Sequence, residues 1–179
     1  MKKIAFFFIS LLACVGLASS CSSDEDEADF SDGTELAIGG EDINSITDAS
    51  HIIRHIYYPN YDGDDTYIIR CFHSKEEVEN SEEFDPGQRY PAYDLAAELP
   101  PIDWDNQTLV LAKFQHGQLV VYKNCKVIKK GERYLVELYM DYTIANALGK
   151  AGVLIVVNNP KITEKHFSMK AIAANLPDK

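Results

Sequence analysis

The five residues Val153-Leu154-Ile155-Val156-Val157 constrain the fold most. Successive side chains of a strand point to opposite faces, so an unbroken apolar run leaves neither face suited to water. Its brevity and its β-branched content favour a strand over a helix. Asn158-Asn159-Pro160 ends it, since proline has no N–H to give to a ladder. The run therefore predicts a central strand, and the other segments must be arranged around it.

Several neighbours carry strand signatures. Residues 66–72, 108–114, 119–128 and 133–142 are rich in β-branched and aromatic residues, with His116-Gly117 and Lys130-Gly131 at two of the turns. Leu135, Leu138 and Met140 mix with Glu137 and Asp141, the pattern of a sheet with one wet face. Leu36-Ala37-Ile38 before Gly39-Gly40 reads as a short strand and a turn. Ser74-Lys75-Glu76-Glu77 is a capping box, predicting a helix from there to about Glu83. Residues 84–101 form a long connection with a helical turn at 95–98, while residues 46–58 and 163–176 fit either a helix or a strand.

The chain opens Met1-Lys2-Lys3 and runs almost uncharged to Ser20, the charged and apolar regions of a secretory signal. The apolar stretch is too short to span a bilayer, which takes about 20 residues. Ala18-Ser19-Ser20-Cys21 resembles a lipoprotein signal-peptidase site, which implies removal of residues 1–20 and acylation of the Cys21 thiol. Cys14, after Leu11-Leu12-Ala13, is a rival site, but cutting there would leave a very short apolar core and expose Val15 to Ala18. Several acyl chains, at about 0.8 kcal/mol per buried methylene, would hold the protein on a membrane. Residues 21–33, with Asp24-Glu25-Asp26-Glu27, cannot bury apolar surface and predict a solvated acidic tether. The run also resembles the acidic export signal of surface lipoproteins in Bacteroidetes, implying an outer-membrane location facing the cell exterior; a plain spacer is the other reading.

Without residues 1–20 the chain has 159 residues, enough for one domain over 34–179. Losing Lys2 and Lys3 leaves 15 basic against 28 acidic side chains, a formal charge of −13. Nucleic-acid binding is disfavoured, because phosphate neutralisation supplies most of that affinity. Of the four cysteines, Cys71 and Cys125 remain after signal removal and acylation. In an oxidising compartment they pair as a disulfide or stay as two buried thiols on separate strands.

From Tyr67 to Lys161 the order of signals resembles the C-terminal domain family of PrcB-type protease-complex subunits. The likeness rests on the helix beginning Ser74-Lys75-Glu76-Glu77 and on Ile102-Asp103-Trp104-Asp105 leading into a strand and a glycine turn. Val156-Val157-Asn158-Asn159-Pro160-Lys161 closes it. The resemblance implies a single α+β domain built on a bent, mainly antiparallel β-sheet with one or two short helices. It also implies no catalytic residues and, in the namesake, partnership with a secreted protease.

Motifs for chemistry are sparse. His51 and His55 stand four apart, as two ligands on one helical face would, but lack an intervening Glu; ordinary surface histidines are the better reading. Asn60, Asp62 and Asp64 mimic the start of a calcium loop that then fails at Thr66 and Cys71. No signature of a cysteine protease surrounds Cys71, His73 or His116. No catalytic residue, metal or cofactor is expected. Tyr61, Tyr90 and Tyr93, in loops, are candidates for a partner or ligand surface, and Trp104, beside a strand, for the core. The expectation is a membrane-anchored, non-enzymatic lipoprotein that binds a protein, with protease association one option. A glycan-binding lipoprotein of a polysaccharide-uptake system is the alternative, and a metal-dependent enzyme using His51 and His55 the third reading.

Overall fold

The computed structural model describes residues 29–54, 65–84, 95–143 and 149–174. The apolar run lies inside a sheet, as its composition requires. Strand β7 (Gly149–Val157) is flanked by β2 (Ile43–Asp48) and β4 (Thr108–His116), antiparallel to both, and β3 (Thr66–Phe72) completes the order β2-β7-β4-β3. A second four-stranded sheet has the order β1 (Thr34–Glu35), β5 (Val120–Lys130), β6 (Arg133–Tyr142), β8 (Phe167–Ala173). Its last pair, β6 with β8, is parallel, and a 3-10 helix at Glu164–His166 leads into β8.

Alternation along β4 and β7 shows why both faces are apolar. Val110, Ala112 and Phe114, with Ala151, Val153, Ile155 and Val157, face the second sheet and share a core with Val127, Tyr134, Val136, Leu138 and Met140. The intervening residues Leu109, Leu111, Leu154 and Val156 face the other way. They are covered by a third layer: the turn carrying Ala49, Ile52 and Ile53, the helices α1 (Lys75–Glu79) and α2 (Leu95–Glu98), and Phe84. Each large aliphatic side chain buried in this way contributes about 1.5–3 kcal/mol.

The mainly antiparallel, sheet-based body is as expected, but the strands divide between two sheets rather than forming one bent sheet. Of the ambiguous stretch 46–58, residues 46–48 belong to β2, 50–52 form a turn and 55–58 lie outside the described residues; of 163–176, residues 167–173 are strand. The capping box forms, with the Glu77 amide donating to Ser74 Oγ at 3.2 Å and the His73 amide donating to the Glu77 carboxylate at 2.7 Å. The helix nevertheless stops at Glu79 rather than near Glu83, because the chain must turn there for Phe84 to bridge Ile53 and enter the third layer. The first strand is Thr34–Glu35, not 36–38; Leu36 packs against the core, and exposed Ile38 bridges Ile43 around a turn where Gly39 takes positive φ. Trp104 is half-buried against the third layer.

Two stretches of sheet edge are blunted. On β3 the Cys71 amide donates to Glu164 Oε1 at 2.9 Å. Strand β5 pairs with β1 only at Ile128 and Lys129; farther along, a bulge between Tyr122 and Asn124 breaks its regularity, and the Cys125 amide donates to Asn124 Oδ1. A bulge and side-chain caps deny a foreign strand a straight ladder.

One charged residue lies within the apolar stack. Lys113, only 1% exposed, points from β4 into the third layer and pairs with Glu83 at 3.0 Å, while Arg70 Nε approaches the other Glu83 oxygen at 3.4 Å. Burial pushes the Lys113 ammonium below its usual range, and the Glu83 hydrogen bond works against that shift. Glu83→Ala, which strands this buried ammonium, should cost about 3 kcal/mol in urea unfolding, whereas Glu83→Leu with Lys113→Met should fall within about 1 kcal/mol of the native protein. Equal losses for both variants would show that the pair is not what Lys113 needs.

Candidate functional site

Two ends of the sandwich differ in chemistry. At one, where β5 ends and β6 begins, the N-terminal segment is fastened to a row of lysines. Lys126 pairs with Glu35 at 2.9 Å, Lys129 with Asp42, and Lys130 with Asp32 at 2.5 Å; Lys130 also donates to the Asp29 carbonyl at 2.7 Å. Donating hydrogen bonds to these carboxylates raises the pKa of all three ammonium groups, and Asp29 and Asp32 are lowered, Asp29 by the Ser31 amide and Asp32 by Lys130. Gly33 lies so close to β5 that a Cβ there would stand 2.5 Å from Ile128 Cγ2. Single exposed pairs contribute little; three in series, with the Gly33 contact, set where the chain leaves the body.

At the opposite end the two sheets finish in a cluster of aromatic side chains, termed here the mouth. Tyr67 on β3 faces Phe114 across the ladder, ring centroids 5.2 Å apart; His116, two residues beyond Phe114 on the same face, stacks on it at 6.1 Å. Tyr142, at the end of β6, meets His116 edge-on at 5.1 Å. Phe114 is fully buried and forms the floor, whereas Tyr67 is 44% exposed. Asp65 holds two polar tips: Oδ2 accepts from the Tyr67 hydroxyl at 3.2 Å, and Oδ1 lies 2.6 Å from His116 Nδ1. A carboxylate only accepts, so Nδ1 carries the hydrogen and Nε2 is left as the acceptor nitrogen of the neutral ring. Burial and the Asp65 charge push the Tyr67 hydroxyl up to about 12, which keeps it a donor. The exposed side chains of Leu119 and Val121 stand at the same end. Gly149 lets β7 begin under the β4–β5 turn, since a Cβ there would meet the Gln118 carbonyl and Val120 amide at 2.3 and 2.4 Å.

Of the residues singled out from sequence, Cys21, His55, Tyr61, Tyr90 and Tyr93 lie outside the described residues, as does the Asn60 to Asp64 loop. The stretch containing Tyr61 rejoins the described chain at Asp65, on the rim of the mouth. His51 is exposed and contacts Glu98 at 3.2 Å. Among the described residues no group of three His, Cys, Asp or Glu side chains comes together as a metal site.

Cys71 and Cys125 are unbridged: they stand on β3 of one sheet and β5 of the other, each with its own strand partners, so the disulfide reading gives way to two separate thiols. Burial pushes both thiols up to about 12, Cys71 also feeling Glu164 and Cys125 also feeling Glu137. A thiolate that does not form cannot attack a substrate. The mouth escaped the sequence reading because Asp65, Tyr67, His116 and Tyr142 are scattered over 78 positions; the only local signal was the short step from Asp65 to Tyr67. No protein-family model, curated protein or solved structure matches the chain.

Two expectations follow for the thiols. Alkylation at neutral pH without reductant should modify Cys71 and Cys125 slowly in the native protein and fully in denaturant; a pair that still resists in denaturant would be disulfide-bonded. Because their folded pKa lies above the unfolded value near 9, the stability they confer is complete below pH 9 and declines as pH rises toward about 12. Cys125→Val should therefore flatten the alkaline loss of stability, by up to about 1.4 kcal/mol per pH unit for that one group.

Proposed function

We propose that this protein is a membrane-anchored lipoprotein, acylated at Cys21 and probing the exterior of a bacterial outer membrane, that acts as a non-enzymatic binding module. The observation that carries the proposal is the opposition of its two ends. The N-terminal segment is fastened at Lys126, Lys129 and Lys130, and the aromatic mouth lies at the other end of β5. Strand β5 has eleven residues, about 36 Å at about 3.3 Å each. Cys21 precedes Asp29 by eight residues, which reach at most about 28 Å. An anchor there holds the lysine end toward the bilayer and presents Tyr67, His116 and Leu119 away from it.

Against a catalytic role, both thiols stay protonated at neutral pH, and Asp65 and His116 hold each other and the Tyr67 hydroxyl. A protein partner, a protease among the options, is what the resemblance to the PrcB-type family implies. A glycan partner is the second reading, favoured by the aromatic and carboxylate character of the mouth. The α+β class belongs to the same proposal, with α1 and α2 in the layer over β4 and β7.

Mass spectrometry of protein purified from membranes should show a chain starting at acylated Cys21, and Cys21→Ser should release the protein from the membrane. With fluorophores placed singly at Leu119→Cys and Glu132→Cys in the anchored protein, energy transfer to a headgroup dye should be stronger from position 132. A start elsewhere without fatty acid refutes the anchor; equal transfer from both positions refutes the orientation while leaving the anchor standing.

A further inference from the structure

We propose that the mouth formed by Asp65, Tyr67, His116 and Tyr142 is a binding site for a single uncharged sugar ring, with Phe114 as its floor and Leu119 at its edge. This rests on the reading of that end as the binding end and commits its occupant. The chemistry on the page is that of a pyranose. One face of such a ring is a set of C–H groups that pack on an aromatic plane, and its rim is a set of hydroxyls that need paired donors and acceptors. Tyr67 supplies a half-exposed plane, and it is rigid because Phe114 backs it at 5.2 Å and Asp65 holds its hydroxyl at 3.2 Å. Holding an aromatic plane in place before binding lowers the entropy lost on association.

The polar groups suit hydroxyls rather than anions. His116 has its Nδ1 committed to Asp65 at 2.6 Å, so Nε2 is presented as an acceptor when the ring is neutral, and the Asp65 oxygens have lone pairs beyond those used by Tyr67 and His116. Together with the Tyr142 ring, held edge-on to His116 at 5.1 Å, they form a short arc of acceptors and aromatic wall around one exposed plane. Among the described residues no lysine or arginine belongs to this group, and the Asp65 carboxylate would repel an anionic ligand, so uronic acids, sulfated sugars and phosphates are disfavoured. The plane offered by Tyr67 accommodates one ring, which makes the expected interaction weak, with Kd about millimolar for an isolated site. A protein anchored in many copies on one surface gains strength from repeated weak contacts with one polymer.

The test uses the full mature protein, acylated and in detergent micelles, labelled at its tyrosine and histidine rings. It is titrated with neutral hexasaccharides of glucose, mannose and xylose and, separately, with a polyuronate. At least one neutral hexasaccharide should shift the ring resonances of Tyr67, His116 and Tyr142, and the polyuronate should not. Tyr67→Ala should weaken that binding about tenfold, the loss of one stacking plane, while Tyr67→Phe, which keeps the plane, should stay within about threefold. His116→Gln serves as a second variant and should weaken binding with the fold intact, as read from unshifted core resonances. No response to any neutral oligosaccharide, preference for the polyuronate, or a response unaffected by Tyr67→Ala overturns the proposal. If a crosslinker at Leu119 then joins a protein partner while the sugars give nothing, the occupant is wrong and the binding end is right.

Discussion

The structure depends on the need to cover both faces of the β4–β7 pair. These strands hold Leu109, Leu111, Leu154 and Val156 on one side and Val110, Phe114, Val153 and Ile155 on the other, all shielded from water. One sheet cannot satisfy that demand, so the chain builds a second sheet against one face and a layer of short helices and turns against the other. Close packing makes the arrangement intolerant of extra volume: a Cβ on Gly152 would come within 2.8 Å of Ile53 and 3.1 Å of the Ala112 carbonyl. Lys113 enters the third layer only because Glu83 arrives with it.

From that stack come the two dissimilar ends. Where β5 meets β6, a lysine-rich strand takes up the carboxylates of the N-terminal segment, so electrostatics there adds to the packing of Leu36 against the core. Where the sheets part, the last inward-facing positions of β3, β4 and β6 hold Tyr67, His116 and Tyr142, too far out to be sealed. The core rows of the sandwich thus continue outward into these rings, each the end of a packed column with Phe114 beneath. Along β3 and the unpaired part of β5, the Glu164 and Asn124 side chains take up edge amides.

The fold was legible where periodicity is local. Residues 153–157, the strand over 133–142, the turn at Gly131 and the capping box at Ser74 all carry their instructions within a few positions, and each forms where expected. The division into two sheets was hidden because the same alternation serves one bent sheet or a sandwich; which strands pair is settled by contacts between residues far apart in the chain. The helix after Ser74 ended early for a similar reason, since the tertiary demand of Phe84 overrode the local pattern. The candidate site was less legible than the fold. Asp65, Tyr67, His116 and Tyr142 form no motif, and the tyrosines that attracted attention, Tyr61, Tyr90 and Tyr93, lie outside the described residues.

Native-state hydrogen exchange addresses the central claim directly, because a sheet enclosed on both faces should open only when the whole protein unfolds. The amides of β4 and β7 should be the slowest in the molecule and share one opening free energy equal to that of global unfolding, with the bulged end of β5 exchanging sooner. If β4 and β7 exchange through a cheaper opening than β5 and β6, the third layer does not seal the sheet, and the account of what holds this fold together is contradicted.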